Sequence, residues 1–180
     1  MKHISQITGN DLPKVKNIIK ELSVPVDSLE NGFIEYPIDN ITSLESLIVG
    51  SPFCFGLRNN YILIGFLVCY EIKKLLSFEP WIIKDSLMNA IIQDYATDRN
   101  LYLDVIAITK DYQWKWFAKQ LLTLLDDVSQ QNNIHTIIAP ICVAPHKNNT
   151  SIAMLKSQQR ILSKNITAAN LTFSLYQHSL

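Results

Sequence analysis

The sequence has few charged side chains and no excess of either sign. Its 180 residues include 16 Lys and Arg and 16 Asp and Glu, which gives a formal net charge of zero. Charged residues make up 18% of the chain, against about 25% in typical domains. Nucleic-acid binders use a broad positive surface to attract phosphates, and this chain has no excess of positive charge to form one. We therefore expect no nucleic-acid partner.

The chain also lacks a cysteine framework and a long apolar run. Its three cysteines, Cys54, Cys69 and Cys142, are odd in number and far apart, so the sequence encodes neither a disulfide scaffold nor a zinc site. The residues after Met1 lack the apolar core of a signal peptide. The longest apolar run, 61–70, has about half the length of a membrane-spanning helix. These absences predict a cytoplasmic protein that does not bind membranes.

Apolar residues make up 48% of the chain, which is enough for the core of one ordinary domain of this length. The periodicity of these residues predicts an α+β order of elements. Strands are expected at 3–8, 53–57, 61–71, 101–108, 134–143, 161–166 and 171–177, and helices at about 11–22, 42–49, 87–95, 117–128 and 149–159. Asp11 is expected to cap the first helix, and 23–41 to be irregular. We expect a single domain over 1–180, with 72–98 as an insertion that contains a helix.

A predicted strand, turn and helix follow one another between Asp104 and Leu122, in the segment DVIAITKDYQWKWFAKQLL. This segment resembles the central motif of the GNAT superfamily of acyl-CoA-dependent N-acyltransferases. In that motif a strand ending in Ala-Val leads through a Pro/Lys-x-Tyr turn into Arg/Gln-x-x-Gly-x-Gly/Ala and a Leu-Leu helix. The residues at matching offsets are Ala107, Ile108, Tyr112, Gln113, Ala118, Leu121 and Leu122.

The resemblance implies a mixed central sheet with a splay between two parallel strands, flanked by helices. It also implies acetyl-CoA as co-substrate, without a metal ion. In this family, backbone N–H groups at the helix start hold the pyrophosphate of the cofactor, and the preceding strand holds the pantetheine arm. The residues that fall on the pyrophosphate positions are Gln113, Trp114, Lys115, Trp116, Phe117 and Ala118. Those that fall on the pantetheine positions are Ile106, Ala107, Ile108 and Thr109.

One position departs from the family pattern. Trp116 stands where the family has its first glycine, which lets the backbone approach the phosphate, and Trp114 stands in place of another common glycine. A Trp116 side chain that points at the phosphate would block it, whereas one that points away leaves the backbone amides usable. Alternatively, both tryptophans simply pack the helix onto the domain.

A second segment, from Val143 to Leu155, resembles the family's Val…Asn-x-x-Ala/Ser-x-x-Leu-Tyr segment. Asn148 takes the place of an asparagine near the cofactor, and Ser151 takes the place of the small residue. Leu155 takes the place of the tyrosine that protonates the departing thiolate, and leucine cannot donate a proton. Capping of the helix by Asn148 is the alternative role of that residue.

Catalysis of acyl transfer to an amine requires a base that removes a proton. Asp104 is the first candidate for base or substrate anchor, because a carboxylate on a central strand is costly unless it is paired or functional. Tyr102 and His146 are weaker candidates. The acidic residues Asp27, Glu30 and Glu35 could attract an amine. The four histidines, His3, His135, His146 and His178, are too scattered to indicate a metal site.

These features predict an N-acyltransferase that transfers an acetyl group from acetyl-CoA to an amine by direct attack within a ternary complex. The acceptor is expected to be a small molecule or a peptide, and a homodimer is left open. The alternative is a catalytically degenerate GNAT-fold binding or interaction module. A third, weaker alternative is an acyltransferase whose donor is an acyl-carrier protein.

Overall fold

The predicted strands and helices occur in the predicted order, but two short strands lie inside 23–41, which was expected to be irregular, and a short helix at 72–75 was not expected. The structure is a computed structural model that describes residues 1–24, 33–34, 45–75, 86–97, 99–113, 116–145, 147–168 and 171–180. The strands are β1 (Lys2–Gln6), β2 (Ser23–Val24), β3 (Phe33–Ile34), β4 (Phe55–Asn59), β5 (Ile62–Glu71), β6 (Asn100–Ile108), β7 (Thr136–Ala144), β8 (Ile161–Ala168) and β9 (Leu171–Ser179). The α-helices are α1 (Leu12–Leu22), α2 (Glu45–Ile48), α3 (Ile72–Leu75), α4 (Ser86–Tyr95), α5 (Phe117–Gln131) and α6 (Asn149–Ser157).

The strands expected at 53–57 and 61–71 form a β-hairpin, β4 and β5, whose turn is shorter than the expected connection of 58–60. Arg58 and Asn59 belong to β4 rather than to the connection, and the chain reverses at Asn60 and Tyr61. Asn60 has a φ of 55°, a left-handed conformation that asparagine tolerates better than most residues.

Of the helix expected at 42–49, the structure describes α2, which is followed by Gly50 with a φ of 78°. Residues 42–44, and most of the segment predicted to be irregular, lie outside the described residues.

Seven strands form a mixed sheet in the order β1-β4-β5-β6-β7-β9-β8. The pairs β1–β4, β4–β5, β7–β9 and β8–β9 are antiparallel, whereas β6 and β7 run parallel. The parallel register extends from Asn100 opposite Thr136 to Tyr102 opposite Ile138. Each strand then continues, β6 to Ile108 and β7 to Ala144. The mixed sheet predicted from the family resemblance, with its splay between two parallel strands, is therefore confirmed.

The chain divides into two compact units. The first consists of Met1–Tyr70 and Asp104–Val128, and the second of Glu71–Leu103 and Ser129–Leu180. In the first unit, apolar residues of α1 recur three and four positions apart, so they share one face of the helix and are buried. These are Leu12, Val15, Ile18, Ile19 and Leu22. Burial of each such side chain contributes about 1.5–3 kcal/mol to folding, which holds α1 in place in this unit.

Asp11 does not cap α1 as predicted. It occupies the residue before the helix but makes no side-chain cap hydrogen bond there. The preceding residues, Gly9–Asp11, form a 3₁₀ turn, and this turn directs the carboxylate back to Thr8. Its Oδ2 accepts hydrogen bonds from the N–H and the hydroxyl of Thr8, both at 2.7 Å, and it forms an ion pair with Arg58 at 2.7 Å. Asp11 therefore joins the start of the helical segment to β4.

In the second unit, α4 lies against the outer strand β8. The hydroxyls of Tyr95 and Ser163 are 3.1 Å apart, and Lys164 forms an ion pair with Asp94. The predicted helix within 72–98 is therefore present as α4. Since β8 is the last strand of the sheet, these contacts fix the helix at the edge strand of this unit.

Candidate cofactor site

The end of β6 is held tightly by β5 within the first unit. The backbone N–H of Thr109 donates to the carbonyl of Ile64 at 2.9 Å, and the Thr109 hydroxyl donates to the same oxygen at 3.1 Å. Gly65 allows the close approach, since a Cβ on it would lie 2.8 Å from the carbonyl oxygen of Ala107 and 2.5 Å from Cδ1 of Ile108. The four residues expected to hold pantetheine, 106–109, are thus placed against β5, and their contact with pantetheine stays a prediction.

The turn after β6 is closed by hydrogen bonds that use the residues of the family motif. Lys110–Tyr112 form a 3₁₀ turn, in which the N–H of Tyr112 donates to the carbonyl of Thr109 at 2.9 Å. The side-chain amide of Gln113 donates to the carbonyl of Ile108 at 3.0 Å, and the hydroxyl of Tyr112 accepts from the side-chain amide of Asn59 at 3.0 Å. The predicted turn is confirmed, and Gln113 bridges the strand end to the start of the next helix.

The start of α5 has the geometry of an anion site. The first hydrogen bond of the helix runs from the N–H of Gln120 to the carbonyl of Trp116 at 3.1 Å, so the N–H groups of Phe117, Ala118 and Lys119 precede the helical hydrogen-bond series. The positive end of the helix dipole lies at the same place. Within the first turn of α5, all of which the structure describes, there is no acidic residue. These groups can therefore attract a phosphate.

Trp116, at the glycine position of the family pattern, has a left-handed backbone conformation. Its φ is 61°, in the left-handed region that glycine adopts freely and other residues adopt at a cost. The residue is 73% exposed, so the alternative in which Trp116 packs the helix onto the domain is wrong. The ring contacts Lys119, whose Nζ lies 5.7 Å from the ring centroid. Trp114 and Lys115 lie outside the described residues.

A shallow cavity of about 340 Å³ adjoins the Trp116 ring on the outer face of α5. The residues that line it are Trp116, Lys119, Gln120, Thr123, Leu124 and Asp127. Their spacing of three and four places them along one side of the helix. The ring of Trp116 therefore borders the flank of the helix, beside the turns that follow the helix start.

A lysine from outside the motif lies near the same helix start. Nζ of Lys2 is 4.7 Å from the centroid of the Phe117 ring and 5.5 Å from that of Tyr112. Lys2 is in β1, far from the motif along the chain, so no local pattern could have identified it. The structure thus adds a positive charge next to the first residue of α5.

Asp104 lies on the more open face of β6. Asp104 and Ile106 are partly exposed, while the residues of the opposite face are buried, namely Leu101, Leu103, Val105 and Ala107. Burial raises the pKa of the Cys54 thiol to about 11, against the lowering effect of a backbone hydrogen bond with Cys69, and the nearby charge of Asp104 adds a smaller raising effect. Cys54 is therefore a neutral thiol at physiological pH, and it cannot act as a thiolate nucleophile there.

The candidate residues of the second unit are either buried or hydrogen-bonded within the protein. The side-chain oxygen of Asn148 accepts a hydrogen bond from the N–H of Ser151 at 3.0 Å, which caps α6. Capping, the alternative role of Asn148, is thereby confirmed, and contact of either residue with a cofactor stays a prediction. Leu155 is 1% exposed and belongs to the core. Tyr102 is buried on β6, and its catalytic role stays a prediction.

The remaining candidates lie outside the described residues. They are His146, Asp27, Glu30 and Glu35. Across the parts of the chain that the structure describes, no group of three or more His, Cys, Asp or Glu is arranged to hold a metal ion. Within the same ranges, no helix is long and apolar enough to cross a bilayer.

Comparison with solved structures identifies the fold. The chain is similar to the ribosomal-protein-S18-alanine N-acetyltransferase from Escherichia coli, with 16% identity, a TM-score of 0.67 and coverage of 99% of this chain and 94% of the other. A structure from Desulfovibrio desulfuricans assigned to the GNAT family of acetyltransferases matches with 12% identity, a TM-score of 0.70 and 99% coverage of both chains. The structure of yncA from Salmonella typhimurium with its cofactor acetyl-CoA matches with 12% identity, a TM-score of 0.63 and coverage of 99% and 93%.

The chain has the fold of the GNAT N-acetyltransferases. The strand order, the parallel pair and the flanking helices agree with these structures over nearly the whole chain. No protein-family model and no curated protein sequence matches the chain. The GNAT fold predicted from the motif resemblance of residues 104–122 is therefore confirmed.

Proposed function

We propose that this protein is an N-acyltransferase that transfers an acetyl group from acetyl-CoA to an amine. The observation on which this mainly rests is the start of α5, where three N–H groups precede the helical hydrogen-bond series although a tryptophan has replaced the glycine. The fold and the acetyl-CoA in a similar structure support the same proposal. In this proposal, the N–H groups of Phe117, Ala118 and Lys119 hold the pyrophosphate.

The residues of this chain fit such a co-substrate. The exposed Trp116 ring lies beside Lys119 on the flank of α5, and the Lys2 ammonium adds a positive charge near Phe117. The end of β6 is fixed by Thr109 and Gly65, which would give the pantetheine arm a rigid strand to lie along. Bound acetyl-CoA would supply an activated thioester carbonyl.

In the proposed reaction the amine attacks the thioester carbonyl directly. A C–N bond forms, the C–S bond breaks and the sulfur leaves as a thiolate. Asp104 is proposed to accept the proton that the amine loses, since its carboxylate is on the more open face of β6. The neutral, buried thiol of Cys54 argues against a covalent acyl intermediate at that residue. With Leu155 in the place of the family's tyrosine, the thiolate would leave unassisted or take its proton from water.

Two measurements test the proposal. Titration calorimetry measures the binding of acetyl-CoA, and an activity assay measures the free thiol released in the presence of amines. The amines should include polyamines, free lysine and short peptides with free N-termini. We expect Asp104→Asn to lower the rate by roughly 10²–10⁴-fold while leaving the affinity for acetyl-CoA unchanged. The exposed Glu21, also in the first unit, provides a matched control in Glu21→Gln. Absence of acetyl-CoA binding at millimolar concentration would disprove the proposal.

A second candidate is a GNAT-fold protein that binds the cofactor or a partner without catalysis. It is favoured by the burial of Leu155, because the position that holds the proton donor in the family is here part of the apolar core. Binding of acetyl-CoA without thiol release for any amine would support this candidate.

A further inference from the structure

The Trp116 side chain is more exposed than its chemistry favours. Tryptophan is a large, mainly apolar side chain that gains free energy from burial, yet 73% of this residue is accessible. Its backbone is held at a φ of 61°, so the position tolerates a side chain that is neither packed nor conformationally favoured. A flat aromatic surface is thereby presented next to the N–H groups at the start of α5.

The cavity beside the ring combines a flat apolar surface with polar edges. Trp116 and Leu124 provide the apolar contacts, and Gln120 and Thr123 provide hydrogen-bond donors and acceptors. Its volume of about 340 Å³ is at the lower end of the range of small-molecule sites, about 300–1,000 Å³. A planar heteroaromatic base has the matching chemistry, because its faces stack on aromatic rings and its edge forms hydrogen bonds. A flexible acyl or pantetheine chain has no such face.

The charges along the cavity favour one orientation of a bound nucleotide. Lys119 is beside the ring, close to the helix start, and Asp127 is at the other end of the same helix face. Phosphate groups would be attracted to Lys119 and repelled by Asp127. The exocyclic amino group of a purine could donate to the Asp127 carboxylate. A nucleotide would therefore lie with its phosphates toward the start of α5.

We infer that Trp116 is a stacking platform for the adenine base of the thioester donor. This inference rests on the proposed function, in which the pyrophosphate lies at the start of α5. Trp116 is the residue whose carbonyl accepts the first hydrogen bond of α5, so its ring is attached beside the pyrophosphate position. Adenosine is joined to that pyrophosphate through its ribose. The donor of this protein is accordingly a nucleotide-bearing coenzyme and not an acyl-carrier protein.

Calorimetry with three ligands tests the inference. CoA and dephospho-CoA contain the base, whereas 4′-phosphopantetheine lacks it. We expect Trp116→Ala to lower the affinity for CoA and for dephospho-CoA by about tenfold or more. The affinity for 4′-phosphopantetheine should be unchanged. Trp116→Phe keeps an aromatic face and should restore part of the affinity. Tyr61→Ala removes another exposed aromatic residue, 98% accessible, and should change none of the three affinities.

The outcomes separate this inference from the proposed function. If Trp116→Ala binds CoA as tightly as the unmodified protein, the stacking role is wrong and the proposed acyltransferase stands. Equal affinity of the unmodified protein for CoA and 4′-phosphopantetheine would also overturn the inference, in favour of a donor without a base. If the unmodified protein binds no CoA at all, the proposed function itself fails. Thermal unfolding of each variant confirms that it is folded in these measurements.

Discussion

Thr109 donates two hydrogen bonds to one carbonyl oxygen, that of Ile64, from its N–H at 2.9 Å and from its hydroxyl at 3.1 Å. The residue therefore closes β6 and begins the turn that leads to α5, while both of its donors are directed to β5. The position at which the chain leaves the sheet determines where α5 starts. The proposed cofactor contacts depend on that geometry.

Thr109→Val should destabilise the first unit moderately. Valine keeps the shape and the backbone N–H but loses the hydroxyl, and a hydrogen bond of this kind contributes about 1 kcal/mol. Thr109→Ser keeps the hydroxyl and serves as the control. Urea unfolding followed by circular dichroism would measure both free energies of unfolding. Equal stability of the two variants would show that the hydroxyl bond contributes nothing.

Gly65→Ala should destabilise the protein more strongly. The added Cβ would lie 2.8 Å from the carbonyl oxygen of Ala107 and 2.5 Å from Cδ1 of Ile108, so β5 and the end of β6 would have to separate. Overpacking of this kind costs about 1–3 kcal/mol. Gly9→Ala is the matched control, because a Cβ on Gly9 meets nothing within 4 Å.

The free energies of unfolding of the two glycine variants can be compared in the same denaturant series. A Gly65→Ala protein as stable as Gly9→Ala would contradict the close approach of the strands. We also expect Gly65→Ala, if it remains folded, to bind acetyl-CoA more weakly, since it displaces the strand end proposed to contact pantetheine.

Trp116→Gly should be more stable than Trp116→Ala. Both variants lose the aromatic ring, but only alanine has a Cβ that is strained at the observed φ of 61°. The left-handed conformation costs a non-glycine residue about 1–2 kcal/mol, offset in part by the greater freedom of glycine in the unfolded chain. We therefore expect a net difference of about 1 kcal/mol in the free energy of unfolding. An alanine variant of equal or greater stability would indicate that the position is not left-handed.

The stability of the protein should fall in mildly alkaline solution because of Cys54. Burial is the main reason that the pKa of this thiol is about 11 rather than the ordinary 9.0. Between these values the unfolded chain releases the proton and the folded chain retains it, so the contribution to stability is complete below pH 9 and is lost as the pH rises toward 11. The total loss is about 2–3 kcal/mol.

The free energy of unfolding at about pH 8 and about pH 10.5, in the unmodified protein and in Cys54→Ala, would measure this loss. Other groups titrate equally in both proteins, so the difference between the two slopes isolates Cys54. Cys142→Ala is the control, since Cys142 is less buried than Cys54. Parallel slopes for the unmodified protein and Cys54→Ala would contradict the burial of an intact thiol.

The order of elements could be predicted because it depends on local patterns. The apolar residues Phe117, Leu121 and Leu125 recur at helical spacing and are all buried in the structure, which is why α5 was found at its observed start. The same reasoning failed for Asp11, because its hydrogen bonds depend on a 3₁₀ turn that the residue types do not specify. Sequence patterns predict which face of a helix or strand is buried more reliably than they predict individual hydrogen-bond partners.

The candidate site could be predicted only in part. The strand, turn and helix of 104–122 were predicted correctly, since the turn bonds and the helix start are local, whereas the cofactor contacts of this segment stay a prediction. The sequence could not show that Trp116 adopts a left-handed backbone, because tryptophan rarely does so. Nor could it show that Lys2 reaches Phe117, because that contact is created by the sheet, which brings β1 to the helix start from the far end of the sequence.

The φ of Trp116 separates two properties that glycine supplies together. One is a backbone turn that exposes amides, and the other is the absence of a side chain. This protein has the left-handed turn with a large side chain in place of the empty space, so glycine is not required for the turn. A sequence pattern that requires glycine at this position would therefore pass over this protein.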